Sequence, residues 1–327
     1  MMEGRGEHQV KILFMGTGGF AIPSLRALLD SSHEVLSLIT QPDKPAGRGH
    51  ELRMPKTKFL ARERGIPVHQ PPRVRAEAAV ELLRGIAPEV IVVVAYGQIL
   101  PPSILQIPPR GIVNVHGSLL PAYRGAAPIQ WAIARGETET GVTTMLMDEG
   151  LDTGPILLQS KIAISEEDTG GTLEQKLASL GAELLLETLS CWERGVLLPM
   201  SQDDSKATLA PRIKKEDALI DWSREATEIH CRVRAFDPWP VAFVALDGAA
   251  LRIWKTRPGP AGGRETETGR ILSIEGEGLA VACGGPTVLL VLEVQPAGGA
   301  RMGAAAFARG KRLAPGDFLG QAATPRP

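Results

Sequence analysis

The 327-residue sequence predicts an α/β protein: a doubly wound, mostly parallel sheet in the amino-terminal domain, followed by a small OB-like β-barrel. Three observations predict it. Apolar runs of strand length alternate with helix-length amphipathic stretches over the first part of the chain, as βαβ units do. One run, Glu89–Ala95 (EVIVVVA), is so rich in β-branched residues that it reads as a strand buried on both faces. Beyond a polar, breaker-rich stretch the pattern changes to short runs separated by Gly-rich turns at close intervals.

In chain order, Val10–Met15 is a strand before a Gly-rich turn, and Phe20–Leu29 has helical spacing through Ile22, Leu25, Leu28 and Leu29. Val35–Ile39 is a second strand. A Pro/Gly/Arg loop, Gln41–Met54, leads to a helix over Lys56–Arg64, a short strand at Val68 and a helix over Ala76–Leu83. After Glu89–Ala95 come a strand at Ile112–Val115, a helix at Ala127–Ala134, and strands at Val142–Met147 and Ile156–Ile164. Thr172-Leu173-Glu174-Gln175 has the form of a capping box and opens a helix with the stripe Leu173, Leu177, Leu180, Leu184 and Leu185. A helix over about 224–235 then precedes Pro238-Trp239-Pro240 and the runs Ala242–Leu246, Ala250–Trp254, Arg270–Ile274, Leu279–Cys283 and Val288–Val294. The tail 297–310 holds one short helix, and Ala322–Pro327 is expected to fray. The expected division is 8–198 for the first domain, 199–215 for a linker and 216–320 for the second domain.

Bulk composition bounds the class. Hydrophobic residues make up 43% and charged residues 22%, as in an ordinary soluble globular chain. Aromatics at 4% supply no stacking platform for single-stranded nucleic acid. Cys191, Cys231 and Cys283 are far apart and odd in number, which fits buried thiols in a reducing cytosol and gives neither disulfides nor a metal-ligand spacing. The first apolar run is too short for a signal sequence or a membrane span, so a cytoplasmic protein without membrane contact, and a monomer, is expected. Residues 1–200 carry 19 Lys+Arg and 22 Asp+Glu, while 201–327 carry 17 and 15. Within 41–75 nine basic residues face three acids, either a solvated face or a phosphate-contacting surface.

Two motifs carry chemistry. Gly16-Thr17-Gly18-Gly19-Phe20-Ala21 fits a loose dinucleotide turn, G-x-G-x-x-A, between strand and helix. That fingerprint also wants an acid at the tip of strand two, where this chain has Thr40-Gln41-Pro42. A nicotinamide oxidoreductase is therefore the weaker reading, and a tight strand–helix turn the stronger. The second motif is Asn114-Val115-His116-Gly117-Ser118-Leu119-Leu120-Pro121, followed at a distance by Gly150-Leu151-Asp152-Thr153-Gly154. Asn114 and His116 lie two residues apart, so their side chains share a side of an extended chain, just past a strand end where open α/β sheets bind ligands. An amide, an imidazole and a carboxylate together can bind a developing oxyanion and move a proton with no metal and no covalent nucleophile. Taken singly, His116 is a packed histidine and Asp152 a turn cap; taken together they read as a catalytic set.

These residues carry a family resemblance. NVHGSLLPAYRGAAPIQWAI (114–133) and GVTTMLMDEGLDTGPIL (141–157) resemble the folate-dependent formyltransferases. GAAPIQ (125–130), TQPDKPAGRG (40–49) and RAFDPWP (234–240) are similar to the branch of that family acting on methionyl initiator tRNA. The resemblance implies transfer of a formyl group from 10-formyltetrahydrofolate, as co-substrate, to the α-amine of the tRNA-borne methionine. It implies Asn114 and His116 as donors to the formyl oxygen, with Asp152 beside His116. It places Ser118, Leu119, Leu120, Pro121, Gln98, Ile99 and Leu100 around the folate, with plain core as the other reading of Ile99 and Leu100. It places the loop 41–54, with Lys44, Arg48 and Arg53, at the tRNA acceptor end. Arg232, Arg234 and Lys255 would follow the acceptor stem, with ordinary surface charge as the other reading.

The chain departs from the family at three places. The first turn is GTGGF where Pro and an acid usually follow GT, His50-Glu51 replaces two lysines, and Asp237 stands where Asn is usual before PWP. The rivals are a folate-linked formyltransferase acting on glycinamide ribonucleotide or an amino sugar, a formyl-folate hydrolase, the nicotinamide enzyme, and an RNA-binding module without activity.

Overall fold

The computed structural model describes residues 9–46, 51–259, 267–276 and 278–320. Arg48 and Ala322–Pro327 lie outside the described residues. The chain divides into two compact units. The first holds the described residues up to Pro128 with Glu139–Ala163 and Glu174–Pro211; the second holds Ile129–Thr138, Ile164–Leu173 and the described residues from Arg212 onward.

The first unit is built on a seven-stranded sheet. In chain order its strands and helices begin with β1 (Lys11–Gly16), α1 (Ala21–Leu29), β2 (Glu34–Ile39), β3 (Lys44–Ala46), β4 (Glu51–Arg53), α2 (Lys56–Glu63) and β5 (Val68–His69). They continue with α3 (Glu77–Ile86), β6 (Val90–Val94), α4 (Pro102–Leu105), β7 (Ile112–His116), α5 (Pro128–Ala134), β8 (Glu139–Leu146), β9 (Ile156–Ala163) and α6 (Gly170–Glu193), the last helix and α5 being shared with the second unit. The sheet order is β5-β2-β1-β6-β7-β8-β9. β1, β2, β5, β6 and β7 run parallel, and β8 and β9 add antiparallel pairs at one edge. All five residues of β6 are buried, which is why its sequence is apolar without alternation. The chain builds outward from β1 through β2 to β5 and returns to β6 on the other side of β1, so the strand order reverses between β1 and β6. Leu13, Met15, Ile39, Val74, Leu83, Ile91, Val93 and Tyr96 form one apolar core of this unit.

The structure corrects several expectations. The loop 41–54 contains an antiparallel ladder, Lys44–Ala46 against Glu51–Arg53, that its Pro and Gly content conceals. The capping box lies three residues earlier than expected: Thr169 N donates to Thr172 Oγ1 at 2.9 Å and Thr172 N to Thr169 Oγ1 at 3.2 Å, so α6 starts at Gly170. A hydroxyl that can accept from its own first turn caps a helix wherever the backbone leaves the donor free, and both Thr positions offered one. The basic run 41–75 is not all solvated. Lys58 is buried, and its Nζ bonds both oxygens of Asp43 at 2.8 and 3.0 Å, while Arg64 pairs with Asp30. Of the cysteines, all free, only Cys283 is buried; Cys191 and Cys231 are half-buried.

The second unit continues with α7 (Ala226–Ala235), β10 (Phe243–Leu246), β11 (Ala249–Pro258), β12 (Ile271–Glu275), β13 (Gly278–Cys283), β14 (Thr287–Gln295), β15 (Met302–Gly303) and α8 (Ala304–Lys311). Its strands are antiparallel in the order β10-β11-β14-β13-β12, with β15 pairing β14. Among the described residues no pairing of β10 with β12 closes this path into a continuous ring. One core gathers Ile229 and Val233 of α7, Phe307 of α8 and the inward residues of the sheet, including Leu251, Ile253, Leu279, Val281, Leu289 and Val291. Buried residues recur two apart at Leu251 and Ile253 of β11 and at Leu289 and Val291 of β14, the period of two of a sheet packed on one face.

Candidate active site

The carboxyl ends of β1, β6 and β7 lead into the turns that hold the candidate site residues, as in open α/β sheets generally. At the switch point, hydroxyls and one amide close upon each other. Thr17 Oγ1 accepts from Gln41 N at 3.1 Å and from Thr40 Oγ1 at 3.2 Å, and Thr57 Oγ1 donates to the Gly16 carbonyl at 3.1 Å. Gln41 stands where a dinucleotide site would place its ribose acid, and its Nε2 donates to the Tyr96 carbonyl at 2.8 Å. A Cβ on Gly16 would lie 2.7 Å from the Phe14 ring, 2.9 Å from Ala21 Cβ and 2.9 Å from the Val94 carbonyl, so this glycine lets helix, strand and neighbour meet. The turn is a packing device. The buried Tyr96 hydroxyl has no hydrogen-bond partner among the described residues, and burial pushes its pKa up to about 12.

β7 is built differently. Asn114 and His116 lie on the same face of this strand, opposite Met145 and Thr143 of β8, and both are buried, 8% and 6% exposed. His116 Nε2 lies 2.9 Å from the Tyr123 carbonyl. A carbonyl only accepts, so Nε2 carries a proton and Nδ1 is the nitrogen left for chemistry. Nδ1 lies 3.7 Å from Asp152 Oδ2, near enough for charge to act and too far for a direct hydrogen bond. Asp152 Oδ2 also accepts from Gly125 N at 2.8 Å. The Asn114 carboxamide has no hydrogen-bond partner among the described residues.

The turn after β7 is set by Thr143: its Oγ1 donates to the Ser118 carbonyl at 2.7 Å and accepts from Leu120 N at 3.1 Å. Ser118 Oγ donates to the Ala122 carbonyl at 2.7 Å, and the Leu120–Pro121 peptide is cis. Ser118 and Leu120 are buried and Leu119 and Pro121 half-buried beside His116 in sequence. After β6, Gln98 Oε1 accepts from Val74 N at 2.9 Å, Leu100 is buried in the core, and Ile99 is 86% exposed. The core reading thus fits Leu100 and not Ile99.

Four of the six cationic residues have described side chains. Lys44 is exposed and donates to Gln41 Oε1 at 2.6 Å; Arg48 lies outside the described residues, as does the side chain of Arg53. In the second unit Lys255 is exposed on β11. Arg232 is half-buried, donates to the Asp217 carbonyl at 2.5 Å and lies over the Phe236 ring; burial and then the Arg224 charge lower its pKa. Arg234 Nη1 donates to the Ser165 and Asp168 carbonyls at 3.0 and 3.1 Å. Arg124, Gly125 and Thr143, which lie within the motif segments, and Gln202, which lies outside them, also surround the site. Each acts through a hydrogen bond between segments distant in sequence, which leaves no local pattern. Among the described residues no cluster of three or more His, Cys, Asp or Glu is arranged to hold a metal, and no helix is long and apolar enough to cross a membrane.

A buried amide without a protein partner, an imidazole with one free nitrogen, and a carboxylate beside it are the parts of a site for acyl-type transfer. The chain belongs to the formyl transferase family: residues 9–189 match the family described as "Formyl transferase" and 212–312 match "Formyl transferase, C-terminal domain". It is 52% identical to the methionyl-tRNA formyltransferase of Pelobacter propionicus over 97% of this chain and 98% of that protein, and 47% identical to that of Geobacter sulfurreducens over 96% and 98%. The fold is shared with the N-formyltransferase of Helicobacter canadensis, solved with folinic acid and dTDP-3-aminofucose, at a TM-score of 0.63 and 18% identity over 86% of this chain and 99% of that one.

Proposed function

We propose that this chain transfers the formyl group of 10-formyltetrahydrofolate to the α-amino group of methionyl initiator tRNA, giving N-formylmethionyl-tRNA for translation initiation. The observation that carries the chemistry is the buried Asn114 on the same face of β7 as His116, whose Nδ1 lies 3.7 Å from the Asp152 carboxylate. The high identity over nearly the whole chain to proteins named for methionyl-tRNA supports the acceptor.

In the reaction the amine nitrogen bonds to the formyl carbon and the carbonyl becomes an oxyanion. Asn114 donates to that oxygen from its uncommitted amide. His116, whose Nε2 is fixed on Tyr123, donates from Nδ1 when the ring holds both protons, and the Asp152 carboxylate balances the positive charge. The carbon–nitrogen bond to the folate then breaks, and the proton lost by the amine passes to the folate nitrogen, with Asp152 and His116 assisting through water. An α-amino group titrates at about 7.7–8.0, so part of it is already a neutral nucleophile near neutral pH.

Ser118, Leu119, Leu120, Pro121, Gln98, Ile99 and Leu100 are assigned to the folate, the exposed Ile99 side chain being a ready apolar contact. Lys44, Arg48, Arg53, Arg232, Arg234 and Lys255 are assigned to the tRNA. Of the four whose side chains are described, Lys44 and Lys255 present their charge to solvent, whereas Arg232 and Arg234 hold backbone carbonyls and act mainly as field. The catalytic, folate-binding role is assigned to 8–198 and the tRNA-binding role to 216–320, with 199–215 between them.

An acceptor competition tests the assignment. Charged initiator tRNA, glycinamide ribonucleotide and an amino sugar nucleotide are offered together with 10-formyltetrahydrofolate. Formyl transfer to the tRNA is expected; transfer to either small acceptor in its place refutes the proposal.

A further inference from the structure

Met200–Ala210 lies in the polar stretch between the two pattern types, yet it is bonded along its length to the loops that bear His116 and Asp152. Met200 and Ile156 exchange backbone hydrogen bonds of 2.8 Å in both directions. Thr208 accepts from Tyr123 N through its hydroxyl at 2.9 Å and from Arg124 N through its carbonyl at 2.8 Å, and Ala210 N donates to the Arg124 carbonyl at 2.7 Å.

Gln202 sits within this strap with its carboxamide fully engaged. Nε2 donates to the carbonyls of Asp152 at 2.8 Å and Gly154 at 2.7 Å. Oε1 accepts from Arg124 Nε at 3.1 Å and Nη2 at 2.8 Å, and Arg124 Nη2 also reaches Asp204 Oδ1 at 2.7 Å. Two donors and two lone pairs are the whole capacity of a glutamine amide. The backbone it grips needs holding: Asp152 has φ of 53°, a left-handed conformation that non-glycine residues rarely adopt. Gly125, next to Arg124, meanwhile donates to the Asp152 carboxylate. One side chain therefore ties the Asp152 loop to the segment that fixes its carboxylate.

The geometry points to Gln202, held by Arg124, as a positioning residue for Asp152: it clamps the Asp152–Gly154 backbone so that the carboxylate stays beside His116 Nδ1. This assignment rests on the formyl-transfer reading of the site. The test uses the full chain, following formyl transfer to methionyl-tRNA with each substrate varied. An inactive parent chain would sink the functional reading; the variants are compared only with an active parent, so the two failures are distinct. Gln202→Leu lowers kcat roughly ten- to hundredfold with KM for both substrates within about threefold. On an Asp152→Asn background it adds less than about threefold, because it acts through a carboxylate already removed. Gln202→Glu keeps an acceptor for Arg124 but sets oxygen against two carbonyls, and is as slow as Gln202→Leu. A parental kcat in either variant, a loss carried by KM alone, or a loss that multiplies in full with that of Asp152→Asn overturns the assignment. Should Gln202→Leu fail to fold, Gln202→Glu decides by the same measurements.

Discussion

Two turns leave the same end of the same parallel sheet and are built in opposite ways. The turn after β1 is made of small residues and hydroxyls whose polar atoms bond one another: Thr17, Thr40, Thr57 and Gln41 form a closed set. The end of β7 that leads into its turn leaves the Asn114 carboxamide without a protein partner and holds an imidazole 3.7 Å from a carboxylate. Buried polar groups ordinarily find partners, so a group that the fold leaves unbonded, on an otherwise fixed scaffold, marks where a ligand supplies the bond. The Gly-rich sequence fits a loose dinucleotide pattern, but its polar atoms are closed upon one another, as in a tight strand–helix turn.

Four substitutions break or sharpen this contrast. The largest effect belongs to the β7 turn. His116→Ala and Asn114→Ala each lower kcat for formyl transfer by about 10²–10³-fold, the usual effect of losing one oxyanion donor. Rapid-quench measurement of single turnovers checks this; a loss of less than about threefold removes both residues from the chemistry.

The β1 turn should respond in stability and not in catalysis. Gly16→Ala forces a Cβ to within 2.9 Å of the Val94 carbonyl and closer to the Phe14 ring. A destabilisation of about 2–3 kcal/mol is expected from urea unfolding, with kcat per folded molecule within a few-fold of the parent. A hundredfold loss of kcat at unchanged stability would turn the comparison around.

The smallest effect comes from Glu174, whose carboxylate oxygen stands 3.6 Å from where a Cβ on Gly19 would lie. Burial holds its pKa above the ordinary value of 4.5. Below 4.5 the carboxyl is protonated in folded and unfolded chains alike and stability is unaffected. As pH rises through the window up to the folded value, the unfolded chain ionises first, and stability falls and then levels. Glu174→Gln removes that fall, so the variant gains stability over the parent at neutral pH and the gain vanishes in acid. Thermal melts from pH 3.5 to 7.5 follow it, and a gain that does not depend on pH contradicts the assignment to ionisation.

Much of this was legible in residue order. The parallel strands announced themselves because strands buried on both faces must be apolar throughout, as β6 is. Asn114 and His116 were legible as a pair because a strand's period of two places them on one side. The ladder of β3 and β4 was hidden, since strand pairing depends on a partner and not on local propensity. Arg234 reads in sequence as a tRNA contact or as ordinary surface charge; only the position of the Ser165 and Asp168 carbonyls shows its guanidinium holding backbone. Gln202 could not have been found, because nothing near it in sequence differs from any polar connector.

Sequence alone therefore determined the alternation of elements, the change of pattern between the two parts of the chain, and the residue types able to stabilise an oxyanion and carry a proton. These depend on periodicity and side-chain chemistry, which are properties of neighbours along the chain. Tertiary structure alone decided which nitrogen of His116 is free, that Gln41 closes the switch point, and that a connector braces the Asp152 loop. Hydrogen bonds fall off within a few tenths of an ångström, and the partners here are separated by up to 55 positions in sequence, so only the folded chain brings them within range.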